Sequence, residues 1–469
     1  MLCFDESLGQ FSDSTALFPG NNEQLSYSDL DAKVTAFAGV FPTEKQLVFI
    51  LSETNVQTIV AYLATLPAGQ VAVLLNAGIE ASAFDSLLQQ YQPEWIFERV
   101  QTCHSYEYKE NGHGLRRTHA QHHSIIHPDV ALLLSTSGTT GSSKMVKLTK
   151  ENLYHNATSI VEYLAIDKNE RAISSLPLHY SYGLSVLNSH LAVGASIVLT
   201  DTSMMSRDFW NVLKEYKVTS FAGVPYHYEM LLRLKFFDMD LPDLKTLTQA
   251  GGRLSSKFIS KFADHAAAAG LRFFVMYGQT EASPRISYVP ADGLADNPES
   301  IGVAIPGGKL WLQDSHGNVI EKDDEEGELV YEGPNVMMGY ATCRDDLALG
   351  DQLHNILPTG DLAKRSANGY FSISGRLKRI IKIFGNRVNL DEVESLLRNK
   401  GYDALCGGED NHLWVALTDQ IVADDAKKYV TSALGVHHSA IQTLIVERFS
   451  TTASGKIDYQ KIFSALQVH

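Results

Sequence analysis

Short apolar runs recur along this chain, separated by segments with helical periodicity. They read QLVFIL (46–51), VAVLL (71–75), VALLLS (130–135), ASIVLT (195–200), VTSFAGV (218–224) and RFFVMYG (272–278). A strand buried on both faces appears as a continuous apolar run, and strand–helix–strand alternation implies a parallel sheet covered by helices. The segment 26–41 places Leu30, Val34, Phe37 and Val40 on one helical face, with Ser26 or Ser28 available as its cap. Further helices are expected near 206–216 and 255–269. From about 301 the texture changes to GKLWLQDSHGN, GELVYEG and GYFSISG, alternating runs punctuated by Gly, Asn and Asp. That pattern suggests an antiparallel, barrel-like sheet. Beyond Gly375-Arg376-Leu377-Lys378 lies a last segment of mixed α+β texture. The expected fold class is therefore α/β: a large N-terminal domain, 1–377, of parallel α/β layers plus a small antiparallel barrel, then a small mobile C-terminal α+β domain, 379–469.

Hydrophobic residues make up 44% of the 469 and charged residues 20%, enough apolar material for a sizeable core and too much for a disordered chain. The net charge of −15 repels nucleic acid and anionic lipid as a whole, so either would need a local basic patch, and no nucleic-acid partner is expected. Any anionic substrate must be held by local groups. Cys3, Cys103, Cys343 and Cys406 are far apart and form no CxxC pair, which fits a reducing compartment. Residues 1–12 carry no basic-then-apolar leader, and no apolar run nears the ~20 residues of a membrane span. A cytoplasmic protein is expected. Six histidines crowd 104–127 (His104, His113, His119, His122, His123, His127), but their spacing matches no usual zinc pattern. A solvated connection or edge hairpin is expected there rather than a metal site.

The sharpest chemical signal is Ser135-Thr136-Ser137-Gly138-Thr139-Thr140-Gly141-Ser142-Ser143-Lys144. It follows an apolar strand and precedes a helix-like segment starting near Lys150. Two glycines free the backbone to turn N–H groups toward an anion. The hydroxyls of Ser137, Thr139, Thr140, Ser142 and Ser143 add donors and Lys144 adds charge, a set suited to a polyphosphate. It is not a Walker A loop, because Gly138 and Gly141 are too close and the lysine is misplaced. A Ser/Gly linker is the weaker alternative. Tyr277-Gly278-Gln279-Thr280-Glu281 ends the strand RFFVMYG, where α/β sheets place ligands. Tyr277 could stack on a base, Thr280 could bond a phosphate, and Glu281 offers a hard oxygen for Mg²⁺. A capped helix start would use the same residues. Gly251-Gly252 would let a flat purine approach the backbone, or form only a tight turn.

The run TSGTTGSSK resembles the phosphate-loop signature of the AMP-forming adenylating enzymes: acyl- and aryl-CoA synthetases, peptide-synthetase adenylation domains and luciferases. LPLHYSYGL (176–184), QAGGRL (249–254), YGQTEAS (277–283), GELVYEG (327–333), PTGD (358–361), GRLKRIIKIFG (375–385) and TASGKID (452–458) follow in the family's order. The resemblance covers about 25–463. It implies that residues 136–141 and Lys144 hold ATP phosphates, with Gly251, Gly252, Tyr277 and Gly278 around the nucleotide. It also implies that Asp361 takes both ribose hydroxyls and that Arg376 lies beside ribose and phosphate. Asp361 could otherwise be an ordinary turn residue. Lys456 would be the mobile catalytic cation, Thr280 and Glu281 would complete the catalytic set, and Lys378 would be the hinge. His179, Tyr180 and Tyr182 would border the acid. Ser143 and Met145 stand where relatives usually carry proline and glycine, and Tyr180 aligns where many carry histidine.

The implied reaction is ATP- and Mg²⁺-dependent activation of a carboxylic acid to an acyl-adenylate, then transfer to a thiol. The thiol would be that of CoA or of a phosphopantetheinylated carrier protein. A non-catalytic nucleotide-binding regulator is the alternative of another class. An acid-independent P-loop ATPase is disfavoured by the lysine spacing. Tyr180, Tyr182, Tyr226 and Tyr228 could form aromatic pocket walls or ordinary core. HYSYGLSVL lacks an aspartate to hold an α-ammonium, which favours an acid without an α-amino group.

Overall fold

The computed structural model describes residues 8–20, 23–119, 125–135, 144–384, 386–451 and 457–464. Two large sheets dominate it. The first has eight strands, and its centre pairs Val130–Ser135, Val71–Asn76, Leu47–Ser52 and Trp95–Arg99 in parallel. The second has nine, with Arg171–Ile173, Ser220–Gly223, Thr246–Gln249 and Arg272–Gly278 parallel at its centre. Helices Tyr27–Ala38, Val56–Thr65, Lys150–Leu164 and Ser181–Leu191 share one apolar core with residues of both sheets, among them Leu132 and Ile197. Val56–Thr65 is buried nearly all round, as a helix between two sheets must be. The first helix begins at Ser26, whose hydroxyl and Asp29 form a capping box.

The structure adds two strands to those expected, Met145–Thr149 and Thr15–Gly20. The strand Val130–Ser135 precedes a helix at Lys150, as expected, with one more strand between them. It pairs antiparallel with Met145–Thr149, and the helix Lys150–Leu164 starts only then, capped by Thr149 and Asn152. Thr15–Gly20, before the first expected helix, enters the second sheet beside Ser196–Val198. The histidine-rich stretch contributes an edge hairpin, Tyr108–Glu110 with His113–Arg117, as expected. His104 and His113 bond Glu98 and Glu53, and no cluster of three metal-ligating side chains occurs among the described residues.

A five-stranded antiparallel sheet follows, built from Val319–Ile320, Lys309–Gln313, Glu326–Glu332, Ile356–Arg365 and Phe371–Arg376. The chain then forms a small α+β domain with its own core, including Ile383, Leu397, Val415 and Ile441. No helix among the described residues is long and apolar enough to cross a membrane.

Candidate active site

Three connections bring the sequence-distant motifs together at the C-terminal ends of the second sheet's strands. Asp361 is the centre of the first. It lies on Ile356–Arg365 and is 3% exposed. Its Oδ2 accepts from the Tyr277 hydroxyl (2.5 Å) and from Gln279 Nε2 (3.0 Å), and its Oδ1 faces Arg376 Nε at 3.0 Å. Burial and the Asp361 carboxylate push the Tyr277 phenol well above its ordinary pKa, so it stays protonated and donates. Gln279 also donates to the Thr359 carbonyl (2.9 Å), which fixes its amide. A carboxylate held by two hydrogen bonds and an ion pair is a rigid acceptor, and each of its oxygens keeps a lone pair for a further donor.

Glu281 begins the second connection. Its Oε1 accepts from the Tyr340 hydroxyl at 2.8 Å. The Lys144 ammonium sits 3.2 Å from the centre of the Tyr340 ring, a cation–π contact. Partial burial, then the nearby Lys378, lower the Lys144 pKa, while Glu281 raises it. Two cations thus crowd the exit of the glycine-rich segment beside one carboxylate, an arrangement that an anionic ligand would relieve. Among the described residues Glu281 Oε2 has no hydrogen-bond partner, so it fits as a ligand for a hard cation.

The third connection runs to the helix Ser181–Leu191. Ser181 Oγ lies 3.2 Å from Thr280 Oγ1. Gly251 has φ +82°, and a Cβ there would land on the Tyr180 hydroxyl, so glycine brings this backbone against Tyr180. Gly252 follows, exposed, with Pro225 beside it. His179 Nδ1 is buried without a partner, and burial lowers its pKa to about 4, so the imidazole is neutral at physiological pH.

Contacts thus link Lys144, Gly251, Tyr277, Thr280, Glu281, Asp361, Arg376 and Lys378 into neighbouring groups, while Thr136, Ser137, Gly138, Thr139, Thr140, Gly141 and Lys456 lie outside the described residues. Gly278 is needed for packing, because a Cβ would collide with the Pro284 carbonyl on the adjoining strand. Tyr182 is wholly buried with its hydroxyl bonded to Thr248, so it offers a ring rather than a free hydroxyl. Tyr228 packs on Phe262 and Phe273 in a separate core, and Tyr226 is exposed, which removes both from the suggested aromatic walls. Sequence reasoning missed two contributors. Gln279 sits inside YGQTEAS and could have been assigned from that motif. Tyr340 is in no motif and reaches Glu281 only because Gly339–Ala341 pairs with Met145–Thr149.

The chain is similar to known proteins in sequence and in fold. Residues 4–341 match the family described as AMP-binding enzyme. The Bacillus subtilis protein YngI is 30% identical over 342 residues, 70% of this chain and 62% of YngI. An oxalate–CoA ligase of Arabidopsis thaliana is 24% identical over 495 residues, covering 96% of this chain and 95% of the ligase. The fold matches that of O-succinylbenzoate coenzyme A synthetase from Bacillus subtilis in complex with AMP, with a TM-score of 0.79, 21% identity and 98% of each chain covered.

Proposed function

This chain belongs to the AMP-binding enzyme family of adenylate-forming enzymes, and we propose that it activates a carboxylic acid with ATP and passes the acyl group to a thiol. In the first half-reaction a carboxylate oxygen attacks the α-phosphorus of ATP, the bond to the β-phosphate oxygen breaks, and pyrophosphate leaves. In the second, a thiol sulfur attacks the acyl carbon of the adenylate and AMP leaves with the bonding electrons. The observation that carries this reading is the Asp361 carboxylate held by Tyr277, Gln279 and Arg376 beside the Glu281–Tyr340–Lys144 group. In it, Asp361 receives the ribose hydroxyls, Gly251 and Gly252 leave room for the purine, and Lys144 with residues 136–141 holds the phosphates. Magnesium bound through Glu281 would neutralise charge on the departing pyrophosphate. Thr280 orients phosphate, His179 and Tyr180 border the acid, and Lys456 supplies a cation to the transition state. The acceptor is the thiol of CoA or of a carrier-protein phosphopantetheine. Pyrophosphate release across a panel of acids tests the proposal. Tight ATP binding with no release for any acid would instead mean a regulator.

Glu281→Gln keeps the shape and removes the charge. The Mg²⁺ concentration giving half-maximal adenylation is expected to rise at least about tenfold. An unchanged titration would remove Glu281 from the metal site.

The way the two sides are tied supports a hinge at Lys378. Arg376 is paired with Asp361 on the large side, while Arg379 is held by Asp391 and Glu394, each at 2.6 Å, on the small side. Leu377 and Lys378 between them are exposed. In this reading the small domain, 379–469, turns about Lys378 between half-reactions. Proline fixes φ near −65°, so Lys378→Pro is expected to impair thioester formation while adenylation and ATP binding persist. Single-turnover assays of each half-reaction check this. Near-wild-type rates in both would place the hinge elsewhere.

A further inference from the structure

Arg285 is a buried cation with no carboxylate beside it. It is 3% exposed and lies two residues past YGQTEAS. Its strand, Arg285–Val289, runs antiparallel to the one ending at Tyr277-Gly278. Its guanidinium carbon stands 4.1 Å over the Tyr182 ring, and one N–H meets the Tyr163 hydroxyl. Its Nε has no partner, and among the described residues no Asp or Glu lies within 4.0 Å. Other enclosed arginines of this chain are neutralised: Arg344 by Glu94 at 2.6 Å, and Arg379 by Asp391 and Glu394. Buried charges are normally paired, so this exception asks for an anion that is not part of the protein.

The guanidinium lines a cavity of about 30 Å³ that also touches Tyr182, Ser185, Ser189, Thr248 and Met276. Two other cavity groups, Arg272 and Glu170, neutralise each other at 3.5 Å. His190, also on the wall, is neutral, because burial holds its pKa at about 4. The lining therefore carries one uncompensated charge, that of Arg285. The cavity lies one side chain from the proposed acid end of the active site. Tyr182 is its wall, the ring centroids of Tyr182 and Tyr180 are 6.3 Å apart, and Tyr180 abuts Gly251. Ser181, between these tyrosines, bonds Thr280. Stacking on Tyr182 leaves the in-plane Nε–H without a partner, and an in-plane N–H is the donor a carboxylate meets edge-on. The volume admits one small polar group rather than a ring or a long alkyl chain.

We infer that the acid activated here is a short dicarboxylic acid, its second carboxylate received by Arg285. This rests on the proposed adenylating function and narrows its substrate class. An uncharged acid would leave the guanidinium buried and unpaired, and sites built around a polar contact reject analogues that lack it.

The test compares succinate and glutarate with their monomethyl esters, and with butyrate, by pyrophosphate release from the full chain with MgATP. The diacids are expected to exceed their esters in kcat/KM by at least about a hundredfold. Arg285→Met should abolish that preference and Arg285→Lys should restore part of it. Esters or butyrate used as well as the diacids by the wild-type protein would overturn the inference while leaving the adenylating function intact. So would an Arg285→Met variant that keeps the preference. Release with no acid at all would overturn the adenylating function, and this inference with it. A melting curve checks that the variants fold, and the wild-type comparison stands without them.

Discussion

Lys456→Ala is expected to slow acyl-adenylate formation about 10²–10³-fold while thiolysis of supplied acyl-adenylate stays near the wild-type rate. The step brings a carboxylate up to an α-phosphate, so two anions must approach. A cation bridging them stabilises the transition state more than the ground state, and removing one such contact costs roughly 2.7–4 kcal/mol. Lys456 lies in TASGKID, outside the described residues, and its assignment rests on that motif. No such approach of anions occurs when a thiol attacks the acyl carbon, so the second half-reaction should not need it. Single-turnover measurement of each half-reaction decides the matter. Equal losses in both would give Lys456 another role.

The second large effect is expected at Asp361. Its side chain is the shared acceptor for Tyr277, Gln279 and Arg376. Asp361→Ala removes the proposed acceptor for two ribose hydroxyls and leaves Tyr277, Gln279 and Arg376 without their common partner. Hydrogen bonds to a charged group contribute about 1.5–3 kcal/mol each, so losing two should weaken nucleotide binding by roughly 10²–10⁴. Asp361→Asn keeps the shape but has one acceptor oxygen in place of two, and should fall between. Titration with ATP and with 2′-deoxy-ATP provides the check. The wild-type protein should bind the deoxy compound more weakly, and Asp361→Ala should bind the two alike. A persisting difference would show that another group reads the ribose.

Much of the fold was legible locally. Buried strands such as Leu47–Ser52 and Arg272–Gly278 are continuous apolar runs, and the helix at Tyr27–Ala38 announces itself by its period and its Ser26 cap. Short strands were harder. Met145–Thr149 follows a polar segment and holds only five residues, so its pairing with Val130–Ser135 is a property of the sheet rather than of the pentapeptide. The pocket tyrosines were ambiguous for a similar reason. Composition could not separate Tyr180, against Gly251, from Tyr228, deep in a different core.

The sequence by itself determined the long buried strands, the first helix and the order of the motifs, because periodicity and turn chemistry act over a few residues. Only the tertiary structure decided the partners. Tyr277 and Asp361 are 84 residues apart, and Glu281 and Tyr340 are 59 apart; their hydrogen bonds exist because strands from separate sheets end at one place. Arg285 is the clearest case. As a letter in the sequence it is one arginine among many. Its lack of a counter-ion is a statement about everything around it, and that surrounding exists only once the chain has folded.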